Sequence, residues 1–91
     1  MQDKCFLCGQ NNPFDPLETH HIFGGAMRAK SERYGLKVRL CGQRCHRLGH
    51  KAAHQNADTM LILHRYGQRK AMDENGWTSD DFIREFHKNY L

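Results

Sequence analysis

Apolar and basic side chains alternate without a break across Leu36, Lys37, Val38, Arg39 and Leu40. That period-two pattern predicts a half-buried strand with its polar face outward. A second short strand is expected over residues 17 to 22, ended by Gly24 and Gly25, and residues 26 to 34 have the composition of a short basic helix closed by Gly35. Farther along, Met60, Leu63, Gly67 and Ala71 fall on one helical stripe. Phe82, Ile83, Phe86 and Tyr90 trace another, beginning at Thr78, Ser79, Asp80 and Asp81, which resembles a capping box. Both read as packing helices, with Trp77 as a plug in the core or between helices.

With 91 residues the chain makes a single domain, residues 1 to 91. So short a chain buries too little apolar surface to be stable without a staple. Four cysteines offer one. Cys5 and Cys8 form a C-x2-C pair followed by Gly9, and Cys41 and Cys45 form a second pair with Gly42 between them. Thiolates in fours are a zinc set, and C-x2-C lets two sulfurs grip one ion from one tight turn. Two disulfides are the competing use of four thiols. No apolar signal segment precedes Cys5, however, which argues for a reducing compartment and for zinc. The longest apolar run, residues 60 to 63, is too short for a bilayer. A soluble, cytoplasmic protein without a membrane partner is expected.

Histidines interleave with the thiols. His20 and His21 sit in the first strand, and His46, His50 and His54 follow the last cysteine at i, i+4 and i+8. A helix over residues 45 to 55 would line those three along one face, although Gly49 weakens it by about 1 kcal/mol relative to alanine. If the four cysteines share one zinc, the strand histidines are clamped over the helix histidines, and a second metal fits between them with positions open for water or phosphate. Neighbours on a regular strand point to opposite faces, so an irregular strand end beside Gly24 is needed for His20 and His21 to share a site. His64 and His87 read as core or surface residues.

The formal net charge is +4, and its distribution matters more than its size. Between residues 28 and 51, Arg28, Lys30, Arg33, Lys37, Arg39, Arg44, Arg47 and Lys51 face the single acid Glu32, whereas residues 56 to 91 are slightly acidic. A basic belt around metal-ligating histidines suits a polyphosphate partner, because each neutralised phosphate releases counterions. A nucleic acid is the expected partner.

Taken in order, CFLC, LETHHIFGG, LKVRLCGQRCH and RLGHKAAH resemble the HNH endonucleases, the ββα-metal or His-Me finger group in its zinc-stapled form. The resemblance covers residues 5 to about 55, and the ending FHKNYL looks like small phage and prophage members. It implies an α+β fold: a small zinc-stapled ββα-metal, treble-clef-like module over residues 5 to 55, followed by two C-terminal packing helices over residues 56 to 91. Carried over by position, it makes His20 and His46 metal ligands, His21 the general base, and His50 or His54 the last ligand. The C-x3-C spacing of Cys41 and Cys45 shifts the register by one residue, which is why both are named. The family's central Asn is missing, since Gly35 and Leu36 occupy its neighbourhood, so another group such as a backbone carbonyl must hold the His21 ring.

The function so implied is a metal-dependent DNA endonuclease or nickase with a structural Zn2+ and one catalytic divalent metal, Mg2+, Mn2+, Ni2+ or Zn2+. Asp15 and Glu18 are not spaced as the carboxylate cluster of a two-metal site. Arg28, Lys30, Arg44 and Arg47 are the candidates for clamping phosphates. The alternative is a catalytically weak or inactive zinc-stabilised module that binds DNA or protein. A third role is a homodimer or a phage or repair assembly joined through the C-terminal helices.

Overall fold

The computed structural model describes residues 3 to 49 and 52 to 91. The alternating segment is a strand there, β2, spanning Lys37–Cys41, with Val38 and Leu40 buried and Arg39 exposed. It pairs antiparallel with β1, Leu17–His21, in a two-stranded sheet that sets Leu17 opposite Cys41, His20 opposite Val38 and His21 opposite Lys37. Cross-strand pairing thus brings the histidine dipeptide and the second cysteine pair into one small frame.

The connection carries a 3-10 turn, Gly25–Met27, and then α1, Arg28–Arg33, where a continuous helix over residues 26 to 34 was expected. Gly35 takes φ 68°, the left-handed conformation that ends α1 cheaply only in glycine. Ser31 then fastens α1 to the strand end: its buried hydroxyl donates to Phe23 O and accepts from Phe23 N.

The expected helix over residues 45 to 55 does not form among the described residues. A π-type turn occupies Gly42–Arg47, and the chain then doubles back, with Ala53 N donating to Cys45 O at 2.7 Å and His54 N to His46 O at 3.1 Å. Gly49 allows this reversal, because a Cβ there would stand 2.0 Å from Arg44 O. The same glycine that lowers helix propensity is needed by the loop.

Two helices cover the sheet. α2 spans Ala57–Asn75, capped by the Asn56 side chain accepting from Thr59 N and ended by Gly76 at φ 65°. α3 spans Ser79–Phe86 and opens on a true capping box between Thr78 and Asp81. Leu63, Gly67 and Ala71 are buried as the stripe requires, and Met60 is half-buried. Gly67 permits close approach, since a Cβ there would lie 2.7 Å from Ile22 Cγ2 and 2.9 Å from the Phe23 ring.

On α3, Phe82 and Phe86 enter the core, whereas Ile83 is turned outward. The helix stops at Phe86, so Tyr90 reaches the core from the tail, where Gln68 clamps it: Tyr90 N donates to Gln68 Oε1 at 2.7 Å, and Gln68 Nε2 donates to Asn89 Oδ1 at 2.8 Å. Trp77 is half-buried edge-on to Tyr34, with ring centroids 5.0 Å apart. His87 is the left-handed residue that ends α3. Among the described residues no helix is long and apolar enough to cross a membrane. The protein is a small mixed α/β structure in which one hairpin and its flanking turns carry the chemistry-bearing side chains.

Candidate metal centres

Four sulfurs meet at the mouth of the hairpin. Cys5 and Cys8 lie on an N-terminal turn closed by Gly9 N donating to Cys5 O, and Phe6 N donates to Arg39 O, which ties that turn to β2. Cys41 ends β2, and Cys45 lies on the π-type turn. All four thiols are free, their Sγ atoms lie within 4.8 Å of one another, and Cys8 Sγ is 3.6 Å from Cys41 Sγ. A tetrahedral zinc with Zn–S of about 2.3 Å has ligand edges of about 3.8 Å, so the cluster could hold a structural ion.

Electrostatics agree with that use. Burial opposes ionisation of Cys5, but the backbone N–H groups of Cys8, Cys41 and Leu7 bring its thiol down to about 6. Cys41 and Cys45 are pushed upward by burial and by the sulfurs around them. Four thiolates so close repel one another unless a cation lies between them. Arg44 supplies part of the compensation, its Nη2 donating to Cys8 Sγ at 3.2 Å and to Gln10 Oε1 at 2.7 Å. Asp15 holds the same turn, accepting from Gln43 N at 2.8 Å and Arg44 N at 3.1 Å.

Beside the sulfurs, His20, His46 and His54 bring one ring nitrogen each within 4.8 Å of the others. His46 Nε2 and His54 Nε2 are 3.1 Å apart, and the His20 ring stands edge-on to both. His20 Nε2 is buried with no hydrogen-bond partner among the described residues. A buried nitrogen left so is costly unless something accepts its lone pair or its proton. Burial and the charges of His46, His54, His64 and His21 lower His20 to about 4. Neutral imidazoles converging on a point are the donor set for a divalent transition ion.

Glu18 orients one of them. It stands two residues before His20, on the same face of β1, and its Oε1 lies 3.1 Å from His46 Nδ1. Gly42 makes room, because a Cβ there would be 2.9 Å from Glu18 Cδ. Arg47 Nη2 donates to Glu18 Oε2 at 2.8 Å.

His21 points away from this group. Its Nε2 is 2.8 Å from Glu32 Oε2, and Lys37 Nζ donates to Glu32 Oε1 at 3.0 Å. The ring is therefore held by a carboxylate of α1 and not by a backbone carbonyl. His20 and His21 nonetheless line one open cleft of about 390 Å³ together with His46, His54, His64 and Arg28. β1 ends at His21 and the chain bends at once over Ile22 and Phe23, the strand end that lets both histidines line one cleft.

Of the four candidate phosphate clamps, Arg28 lines that cleft. Lys30 donates to Glu85 O, which pins α1 to α3. Arg44 covers the sulfurs, and Arg47 is bound to Glu18 and to Gly42 O. His50, with its neighbour Lys51, lies outside the described residues. His64 stacks on Phe23, rings 13° apart, at the cleft wall. Comparison with protein-family models, with curated proteins and with solved structures finds no match.

Proposed function

We propose that this chain is a metal-dependent endonuclease or nickase of the HNH type, which hydrolyses DNA phosphodiesters with His21 as general base. The observation that carries the reading is the convergence of His20, His46 and His54 on one point, with His20 Nε2 buried and without a hydrogen-bond partner among the described residues, at the rim of a cleft that also contains His21. Their imidazoles would hold one divalent cation, which supplies Lewis-acid stabilisation of the charge developing on the phosphate. The four cysteines would hold zinc and fix the hairpin to the turn that bears His46.

The chain's own groups do the rest. His21 takes the proton of a water attacking phosphorus, which is the part of a general base. Arg28 offers its guanidinium to a phosphate in the cleft, a geometry that favours two parallel hydrogen bonds. Glu18 keeps His46 turned toward His20 and His54.

A zinc-stabilised DNA- or protein-binding module without turnover is the second reading. Its protein-binding form is favoured by the internal engagement of Lys30, Arg44 and Arg47, three of the four candidate phosphate clamps, which are spent within the fold. Incubation of supercoiled plasmid with the protein and Mg2+, Mn2+ or Ni2+ separates the two. Nicking that is lost in His21→Ala, with metal content kept, supports the nuclease. One tightly held zinc per chain and no cleavage with any of the three ions supports the binding module.

A further inference from the structure

We propose that Glu32 is the positioning residue for the His21 ring. The inference rests on the nuclease reading of the cleft and adds a residue to it. Glu32 is eleven residues from His21 in the chain, and its carboxylate is reached by the imidazole only because α1 folds back beside the strand end. Oε2 lies 2.8 Å from His21 Nε2.

A carboxylate can only accept, so in the neutral ring Nε2 carries the proton and Nδ1 keeps its lone pair. No described residue hydrogen-bonds to Nδ1. That nitrogen is the one left to receive a proton from water.

The carboxylate is itself held in place. Lys37 lies directly opposite His21 in the antiparallel register, and its Nζ donates to Glu32 Oε1 at 3.0 Å. One oxygen is thus spent on the lysine and the other on the imidazole, which fixes the plane of the carboxylate. The backbone beneath it is anchored as well. Ser31, the preceding residue, is fully buried and exchanges two hydrogen bonds with Phe23, and Leu36 N donates to Ser31 O at 2.8 Å. Lys30 and Tyr34 both bond to Glu85 on α3. Glu32 therefore stands on a short helix that cannot slide relative to the dipeptide.

A purely structural role would not need this arrangement. The Glu32 side chain is 58% exposed, and ion pairs so exposed contribute little to stability. The His21 side chain is only 17% exposed, so the contact orders a ring that is already screened. Holding a base in one tautomer and one orientation is what an acceptor behind an imidazole does in other hydrolytic sites. In the sequence pattern described above an Asn is absent, and Glu32 would fill that place from a different element.

The test compares Glu32→Ala and Glu32→Gln with the unaltered protein in its metal-loaded form. Glu32→Ala is expected to lower kcat for plasmid nicking about ten- to hundredfold, no more than the roughly 10²- to 10⁴-fold that the base itself supplies. KM and bound metal are expected to stay as they are. Glu32→Gln should recover most of the rate, because an amide oxygen still accepts from Nε2–H. Nitrogen-15 spectra of the His21 imidazole give a readout independent of activity: an Nε2–H signal slow to exchange in the unaltered protein and in Glu32→Gln, and lost in Glu32→Ala.

Equal losses in the two variants, or a loss that tracks metal content, overturn the positioning role. So does unchanged cleavage by Glu32→Ala. An unaltered protein that shows the locked ring but cleaves no DNA with any divalent ion instead overturns the nuclease reading itself, and the catalytic use of Glu32 with it.

Discussion

Glu18 Oε1 lies 3.1 Å from His46 Nδ1, and this contact decides which nitrogen of the ring faces His20 and His54. With the Nδ1 proton given to the carboxylate, Nε2 is free for an ion. Replacing Glu18 with alanine should weaken binding of a divalent ion at the three histidines about ten- to hundredfold, the usual cost of losing such an outer partner. Titration calorimetry with Mn2+ or Ni2+ on zinc-loaded protein measures it, and zinc content should not change. An unaltered affinity would mean that Glu18 serves only Arg47.

Removal of an ion held by the four cysteines should have a larger effect. Small zinc modules draw about 10 kcal/mol or more of folding free energy from the metal, and a chain of 91 residues has little surplus to offset that. Cys45→Ser, or a strong chelator, should therefore abolish cooperative thermal unfolding followed by circular dichroism. Persistence of a sharp transition in metal-free protein would show that the core stands without its staple.

Gly67 offers a test of the packing itself. Alanine there gains about 1 kcal/mol of helix propensity, yet its methyl would press on Ile22 and Phe23, which sit beside the histidine dipeptide. Overpacking of that kind costs about 1–3 kcal/mol, so Gly67→Ala should lower the urea midpoint without changing its slope. A stabilised variant would mean that the helix backs away freely.

At the start of α3 the backbone N–H of Thr78, then its hydroxyl and the Arg84 charge, hold the Asp81 carboxyl below its usual range. A depressed folded-state value contributes stability that is full above the unfolded value near 3.9 and is lost as pH falls through the lower folded one. Asp81→Asn should thus be less stable than the parent at neutral pH, with the gap closing below about pH 4. Denaturant titrations at pH 7 and pH 3 check this.

Arg28 is the cleft's own guanidinium, so Arg28→Ala should raise KM for DNA cleavage and reduce the salt slope of binding by about one. Anisotropy of a labelled duplex across a salt series reads the slope. No change in slope would remove Arg28 from the phosphate path.

The hairpin was legible from Leu36 to Leu40, where period-two alternation has one simple meaning, and the cysteine pairs foretold the sulfur cluster because ligand spacing is local. His46 and His54 were not legible in the same way. Their spacing of eight fits a helical face, but the chain reverses at Gly49 and brings them together across a loop. Propensity marked that glycine only as a weak point.

Charge counting had a similar limit. Arg44 and Lys30 look like free cations in a basic belt, yet one is spent on thiol sulfur and the other on a carbonyl of α3. Glu32 was visible only as the belt's lone acid, and its pairing with His21 depends on Ser31 anchoring α1. Period two did hold a clue to Glu18, two residues before His20.

Cys45 and His46 are consecutive residues on the π-type turn. The two clusters therefore share a peptide unit, so loosening the sulfur knot should also displace His46 from His20 and His54. Loading should be ordered: zinc enters first, and the cleft acquires its own ion afterwards. Unloading should be lopsided, since stripping the thiolates would also discharge the histidines while emptying the histidines would leave the zinc in place.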